Sequence, residues 1–236
     1  MKLHLNILPE AQLKLWPQLK AVPENFVLYG GTAIALQLGH RISVDFDFFS
    51  KESLDKNVLL KVFPLLAEHK MVQPEINTVN SFIDLPEGMV KLQFLAGLGE
   101  RQKQIAPVSI AEDNGIQIAS LQDLFATKLN TIQHRAECKD YIDIDALIQI
   151  GKISLEEGLA YAIAVYGQSF DPATSLRALC SYREGDLSEL EPTIKKRLSN
   201  AAINVNEIPT AFGIWHDDKR SVDEVMATLR QPRNHE

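Results

Sequence analysis

Apolar and polar positions change rhythm several times along this chain, and each change predicts an element. Phe26, Val27, Leu28 and Tyr29 form a compact apolar run stopped by Gly30 and Gly31, after which Thr32 to Leu38 reads as a short helix closed by Gly39. From Ile42 to Phe49 the pattern becomes strict alternation at its centre. Val44, Phe46 and Phe48 fall on one face of a strand and Asp45 and Asp47 on the other. Before these, residues 9–20 predict a short helix that ends or kinks near Pro17. After them, residues 54–70 place apolar side chains at helical spacing, with Pro64 weakening the middle. Ile76–Leu85 and Met89–Leu95 read as a hairpin around Pro86-Glu87-Gly88.

A further strand over Gly115–Ala119 leads into Ser120, whose oxygen can cap the next helix while Asp123 reinforces its N-terminus. Beyond Ser120 strand signals almost vanish. Residues 120–134, 137–149, 155–167, 173–182 and 188–203 each predict helix, which sets a boundary near residue 118 between an α/β part, 1–118, and a helical part, 119–236. The tail after Ala211 is charged and weakly patterned.

Composition narrows the picture. An apolar content of 45% over 236 residues suits one large or two modest domains. Lys and Arg number 24 against 31 Asp and Glu, a formal charge of −7, which excludes a general polyanion binder but not a local basic cleft. No apolar run approaches the roughly 18 residues of a membrane span, and MKLHLNILPE has no signal-peptide pattern, so a soluble, cytoplasmic protein is expected. Cys138 and Cys180 lack metal-site spacing and are expected to be buried or half-buried thiols.

Three features carry chemistry. Asp45 and Asp47 share a strand face with their Cα atoms about 6.5–7 Å apart, a platform for hard cations such as Mg²⁺ that keep waters and phosphate oxygens as further ligands. Gly30 and Gly31, at a helix start, can bring backbone N–H groups to an anion, and the Thr32 hydroxyl can donate to a phosphate oxygen. Lys128 projects from the middle of the apolar stripe formed by Leu121, Leu124, Phe125 and Ile132, and Arg135 shares that face if the helix extends so far. A lysine placed there either snorkels to solvent or enters a cleft holding a counter-charge. Just beyond, Asp140 and Asp143 lie three apart on one helix face, with Lys139 four before Asp143.

Taken in order, Gly30-Gly31-Thr32-Ala33, Gly39-His40-Arg41, Ser43, Asp45-Phe46-Asp47-Phe48-Phe49-Ser50, Lys128, Arg135 and Lys139-Asp140-x-x-Asp143 resemble the AbiEii/AbiGii toxin family of DNA polymerase β-like nucleotidyltransferases. The likeness covers residues 20–150 in motif order and continues loosely to Leu176-Arg177-Ala178-Leu179. It implies an α/β (α+β) nucleotidyltransferase core with a mixed β-sheet, and a helical C-terminal domain that closes over the cleft. It also implies transfer of a nucleotide from an NTP, in studied members to the 3′ end of tRNA, under the control of an antitoxin. By matching positions, Gly30, Gly31 and Thr32 would hold the triphosphate, and Asp45 and Asp47 would hold Mg²⁺ or Mn²⁺. Lys128 would neutralise phosphate charge, Asp140 or Asp143 would complete the active site, and Arg41 and Arg135 would contact phosphates.

One position departs from the superfamily pattern. Where a third carboxylate is expected on a neighbouring strand, Val90-Lys91-Leu92-Gln93-Phe94 offers Gln93, a neutral ligand and no general base. Two other readings therefore stand beside transfer to RNA: nucleotidylation of a protein hydroxyl, and a catalytically inactive nucleotide- or partner-binding module. A haloacid-dehalogenase-like phosphatase also uses Asp-x-Asp, but Phe49 stands where its small hydroxyl residue belongs. Arg101 with Lys103, Lys195-Lys196-Arg197 and Lys219-Arg220 are candidate contacts for an RNA acceptor.

Overall fold

The apolar run before the glycine pair becomes an interior strand of a sheet because its residues have no polar face to turn outward. The computed structural model describes residues 2–98 and 103–211. In chain order its elements are α1 (Glu10–Leu15), β1 (Val27–Tyr29), α2 (Gly30–Leu38), β2 (Asp45–Phe49), α3 (Lys56–Val62), β3 (Lys70–Glu75), β4 (Thr78–Leu85) and β5 (Gly88–Leu95). There follow β6 (Ser109–Ile110), β7 (Gln117–Ile118), α4 (Leu121–Thr131), α5 (Cys138–Gln149), α6 (Leu155–Tyr166), α7 (Pro172–Ala178) and α8 (Pro192–Ile203). The described strands form one mixed sheet in the order β3-β4-β5-β2-β1-β7-β6. β1 runs antiparallel to β2 and parallel to β7, and β2 runs parallel to β5.

Phe46 and Phe48 of β2 are fully buried, and Phe48 stacks on Phe94 of β5 with ring centroids 5.4 Å apart. That burial fixes which side Asp45 and Asp47 occupy, since a shift of one residue would exchange the faces. Val44, expected to join the apolar row, lies before the strand and is exposed. The hairpin β4–β5 closes at Leu85 and Gly88, as the Pro-Glu-Gly turn predicts. Pro64 stops α3 at Val62 and starts a 3₁₀ turn, because its ring cannot continue the helix. The first helix likewise becomes 3₁₀ at Trp16, next to Pro17. Cys138 is half-buried as expected, whereas Cys180 is exposed at the end of the short α7.

The helices after Ser120 pack on this frame through a hydrophobic core that is continuous with that of the sheet. Ser120 accepts a hydrogen bond from the Asp123 backbone N–H and caps α4. The Asp123 carboxylate turns back to accept the Ile105 N–H at 2.8 Å. Ser154 and Glu157 cap α6 reciprocally. α6 lies close against α4 because residue 158 is glycine: a β-carbon there would come within 2.7 Å of the Phe125 ring. Gly158→Ala should therefore destabilise the protein by roughly 1–3 kcal/mol in chemical denaturation, although alanine is the better helix former. A neutral or stabilising result would mean that α4 and α6 are not closely packed there.

Candidate active site

A cleft of about 540 Å³ opens between the sheet and helices α4 and α5. Its acidic wall is the β2 row Asp45, Asp47 and Phe49, next to Lys91 and Gln93 of β5. The parallel register pairs Asp45 with Lys91 and Asp47 with Gln93, so the amide stands directly beside the second carboxylate. Burial, and then the charge of Asp45, push the Asp47 carboxyl above its ordinary value. Two half-buried carboxylates facing the same space repel, and a cation between them relieves that repulsion. Among the described residues no group of three or more His, Cys, Asp or Glu side chains is arranged to hold a metal ion. The donor set of two carboxylates beside an amide oxygen fits a hard divalent cation that takes its remaining ligands from water and phosphate.

The opposite wall is built on buried charge. Lys128 Nζ lies 2.7 Å from Asp140 Oδ1 and 2.7 Å from Asp143 Oδ2, and its side chain is only 6% exposed. Asp143 also accepts two hydrogen bonds from the Arg41 guanidinium, at 2.6 and 2.8 Å, and pairs with His40 Nε2 at 2.7 Å. Asp140 accepts two more from Arg135, at 2.8 and 3.0 Å. Burial alone would raise both carboxyls. For Asp143, His40, Arg41 and Lys128 outweigh it, and for Asp140, Arg135 and Lys128 do, so both acids are held below the usual carboxylate range. Three fixed cations thus share two carboxylates. The acids are fully buried behind the wall, while Arg41, Lys128 and Arg135 face the cleft with Lys139.

The glycine pair makes this arrangement sterically possible. Gly30 has φ +74°, which favours glycine, and a β-carbon there would lie 2.5 Å from Asp47 Oδ2. At Gly31 a β-carbon would meet Arg41 Nη2 at 2.2 Å and Asp143 Oδ2 at 3.3 Å. Both glycines belong to the first turn of α2, which begins at Gly30 itself, so the helix start opens on the cleft between the acidic and the basic groups.

Several expected site residues have other partners than the spacing suggests. Thr32 is buried, and its hydroxyl donates to the Asp45 carbonyl while meeting Ser43 Oγ at 2.8 Å, so its proton holds β2 against α2 and is not free for a phosphate. Lys128 enters the cleft wall, but its charge is balanced by Asp140 and Asp143. For the same reason neither of those acids stands open in the cleft beside Asp45 and Asp47 as a third carboxylate. α4 ends before Arg135, which reaches Asp140 from the turn between helices. Lys139 pairs with Glu137 at 2.8 Å, not with Asp143. His40 has no role legible in sequence; its signal was only its position beside Arg41. Of the candidate acceptor contacts, Arg197 is bound to Asp145 at 2.5 Å and Lys195 donates to the Ser188 carbonyl at 2.8 Å. Arg101, Lys219 and Arg220 lie outside the described residues.

The model of the nucleotidyl transferase AbiEii toxin family, of type IV toxin–antitoxin systems, matches residues 18–208. The chain belongs to this family. Membership of this nucleotidyltransferase toxin family implies an NTP substrate and an antitoxin partner. Among solved structures the chain is similar to MenT4, a nucleotidyltransferase toxin of Mycobacterium tuberculosis, with 16% identity over 81% of this chain and 80% of that one and a TM-score of 0.55. It is also similar to a provisionally assigned nucleotidyltransferase of Helicobacter pylori, with 18% identity over 84% and 92% of the two chains and a TM-score of 0.53. Identities this low show a shared fold. Comparison with curated proteins gives no significant match. No helix among the described residues is long and apolar enough to cross a membrane.

Two predictions separate the walls. Asp143→Asn leaves Arg41, Lys128 and His40 without their shared counter-charge and should destabilise the AbiEii-family chain by about 3–5 kcal/mol in denaturant unfolding. Because the folded Asp143 carboxyl titrates below its unfolded value, its contribution is complete above that value and is lost as pH falls through the folded one. The difference between wild type and variant should therefore persist at mildly acidic pH and narrow only below about pH 4. Asp47→Asn, in contrast, removes like-charge repulsion. It should raise the melting temperature without divalent cations and abolish the further rise expected of wild type on adding Mg²⁺.

Proposed function

We propose that the cleft transfers a nucleoside monophosphate from an NTP to the 3′ end of an RNA, tRNA being the acceptor that the family likeness indicates. The observation that carries this reading is the confrontation of Asp45 and Asp47 with Arg41, Lys128 and Arg135 across a space into which the start of α2 also opens. Nucleotidyl transfer needs those parts. An acceptor hydroxyl attacks the α-phosphorus, pyrophosphate leaves, and negative charge accumulates on the phosphate oxygens.

In this account the backbone N–H groups at Gly30 and Gly31 orient the phosphate tail, helped by the positive end of α2. Arg41 and Arg135 present their charge to the tail without swinging freely, because Asp143 and Asp140 fix their guanidinium planes. Lys128 supplies charge mainly by holding those two acids neutralised in the wall. Asp45 and Asp47 would hold Mg²⁺ or Mn²⁺, which supplies charge neutralisation at the phosphates and a more acidic attacking hydroxyl. Gln93 would add a neutral oxygen at the site and take no proton. Arg135, His134 and Lys139 at the rim suit a phosphodiester backbone.

Gln93 also favours a second reading, a module that binds nucleotide and does not turn it over. Total cellular RNA incubated with each labelled NTP and Mg²⁺ distinguishes them. The proposal expects one or more NTPs to label RNA, with at least a hundredfold loss in Asp45→Ala. Label on a protein moves the acceptor to a side-chain hydroxyl. NTP binding without transfer supports the inactive module, and the absence of both binding and transfer overturns the reading.

A further inference from the structure

A second hollow, of about 180 Å³, opens beside the cleft and shares Phe49 and Thr127 with it. Phe49 belongs to the same row as the two carboxylates. Two positions beyond Asp47 on β2, it lies on the same face with its Cα roughly 6.5–7 Å further along. Tyr29 of β1, the register partner of Asp47, meets the Phe49 ring edge-on with centroids 5.0 Å apart. Across the hollow stand Val165 and Tyr166, at the end of α6. The Tyr166 hydroxyl reaches Thr127 Oγ1 at 3.4 Å, and Thr127 donates its own proton to the Asp123 carbonyl at 2.9 Å.

The character of the surface therefore changes along β2. Arg41 lies upstream of the strand, the two carboxylates come next, and aromatic rings follow. Phe49 is only half-buried, so a large apolar ring stands at the junction between the charged cleft and a hollow whose lining is mainly aromatic and aliphatic, with Lys103, Thr127 and Asp123 as its polar members. A nucleoside triphosphate has the same sequence of characters: a polyanionic tail, the reacting phosphate, and then a flat, weakly polar base.

We infer that the hollow beside Phe49 receives the base of the nucleotide whose phosphates occupy the cleft, with the Phe49 ring as its stacking surface. The inference rests on the nucleotidyltransferase reading and adds to it the place of the base. Stacking on an aromatic ring is tolerant of base identity, so the hollow contributes affinity and alignment for every NTP it admits. Holding the base would also limit rotation of the α-phosphate over Asp45 and Asp47.

Calorimetric titration with Mg²⁺ and each of ATP, GTP, CTP and UTP, and separately with Mg²⁺ and inorganic tripolyphosphate, tests this in wild type, Phe49→Leu and Phe49→Tyr. Phe49→Leu keeps apolar bulk and removes the ring. It should lose roughly 5- to 150-fold in affinity for its best NTP, the range that alanine substitution of a stacking ring produces. Its tripolyphosphate affinity should not change, and Phe49→Tyr should bind NTP nearly as wild type does. Equal weakening of tripolyphosphate in Phe49→Leu would show a structural effect and overturn the proposal. So would unchanged NTP affinity, which would leave the nucleotidyltransferase reading intact. A higher KM for the RNA acceptor with NTP affinity unchanged would put the acceptor's base there and also overturn it. Failure of wild type to bind either ligand would remove the reading of the cleft itself.

Discussion

The Lys128 ammonium, buried between Asp140 and Asp143, is the contact on which the rest of the site depends. Removing such groups from water is unfavourable by several kcal/mol per ion, and the loss is recovered only if every charge finds good partners. Here the partners are supplied from three places: α4 gives Lys128, the loop after α2 gives His40 and Arg41, and the turn before α5 gives Arg135. The network therefore joins α2, α4 and α5 in one arrangement. It also explains Gly31, where any side chain would occupy the space of the Arg41–Asp143 pair.

Against this closed network stands an open one. Among the described residues Asp45 and Asp47 form no ion pair, although Lys91, Lys128 and Lys139 act on Asp47 from farther away, and the hydrophobic burial of Phe46 and Phe48 on the reverse face holds them in place. The fold thus keeps two carboxylates satisfied in the wall and leaves two facing the cleft with their repulsion uncompensated by a buried partner. On the proposed reading, the first pair sets positions and the second receives what the cleft binds. Such a division reconciles a chain of net charge −7 with a polyanionic substrate, because the local field is set by the few groups at the cleft wall.

Much of this was legible in the sequence where one physical cause acts alone. Alternation in Asp45–Phe49 identified the strand and its acidic face, Ser120 marked the start of α4, and a lysine in an apolar stripe pointed either to solvent or to a counter-charge, of which the fold supplies the second. The identity of that counter-charge was not legible. Helical period gives the direction of Lys128 but not which later helix it meets, and Asp140 and Asp143 read equally well as an open pair. Two sheet members were missed for a different reason. β6 has two residues, too few for a period, and Lys70–Glu75 lies at the sheet edge without strict alternation. That Arg41 and Asp143 fill the space beside Gly31 was not legible, because sequence reports the absence of a side chain and not what occupies its place. The register that sets Gln93 beside Asp47 is a product of β2–β5 pairing between strands some forty residues apart, which local pattern does not encode.

On the proposed reading, Asp45 and Asp47 are the open half of a charge-complementary site whose basic half is locked by Asp140 and Asp143. Anomalous diffraction from crystals grown with Mn²⁺ and a non-hydrolysable NTP tests it most directly. A manganese peak should lie within coordination distance of both β2 carboxylates, with Lys128 still bound to Asp140 and Asp143. A nucleotide seated in the cleft with no metal at those carboxylates, or with Lys128 released from both acids, would contradict it.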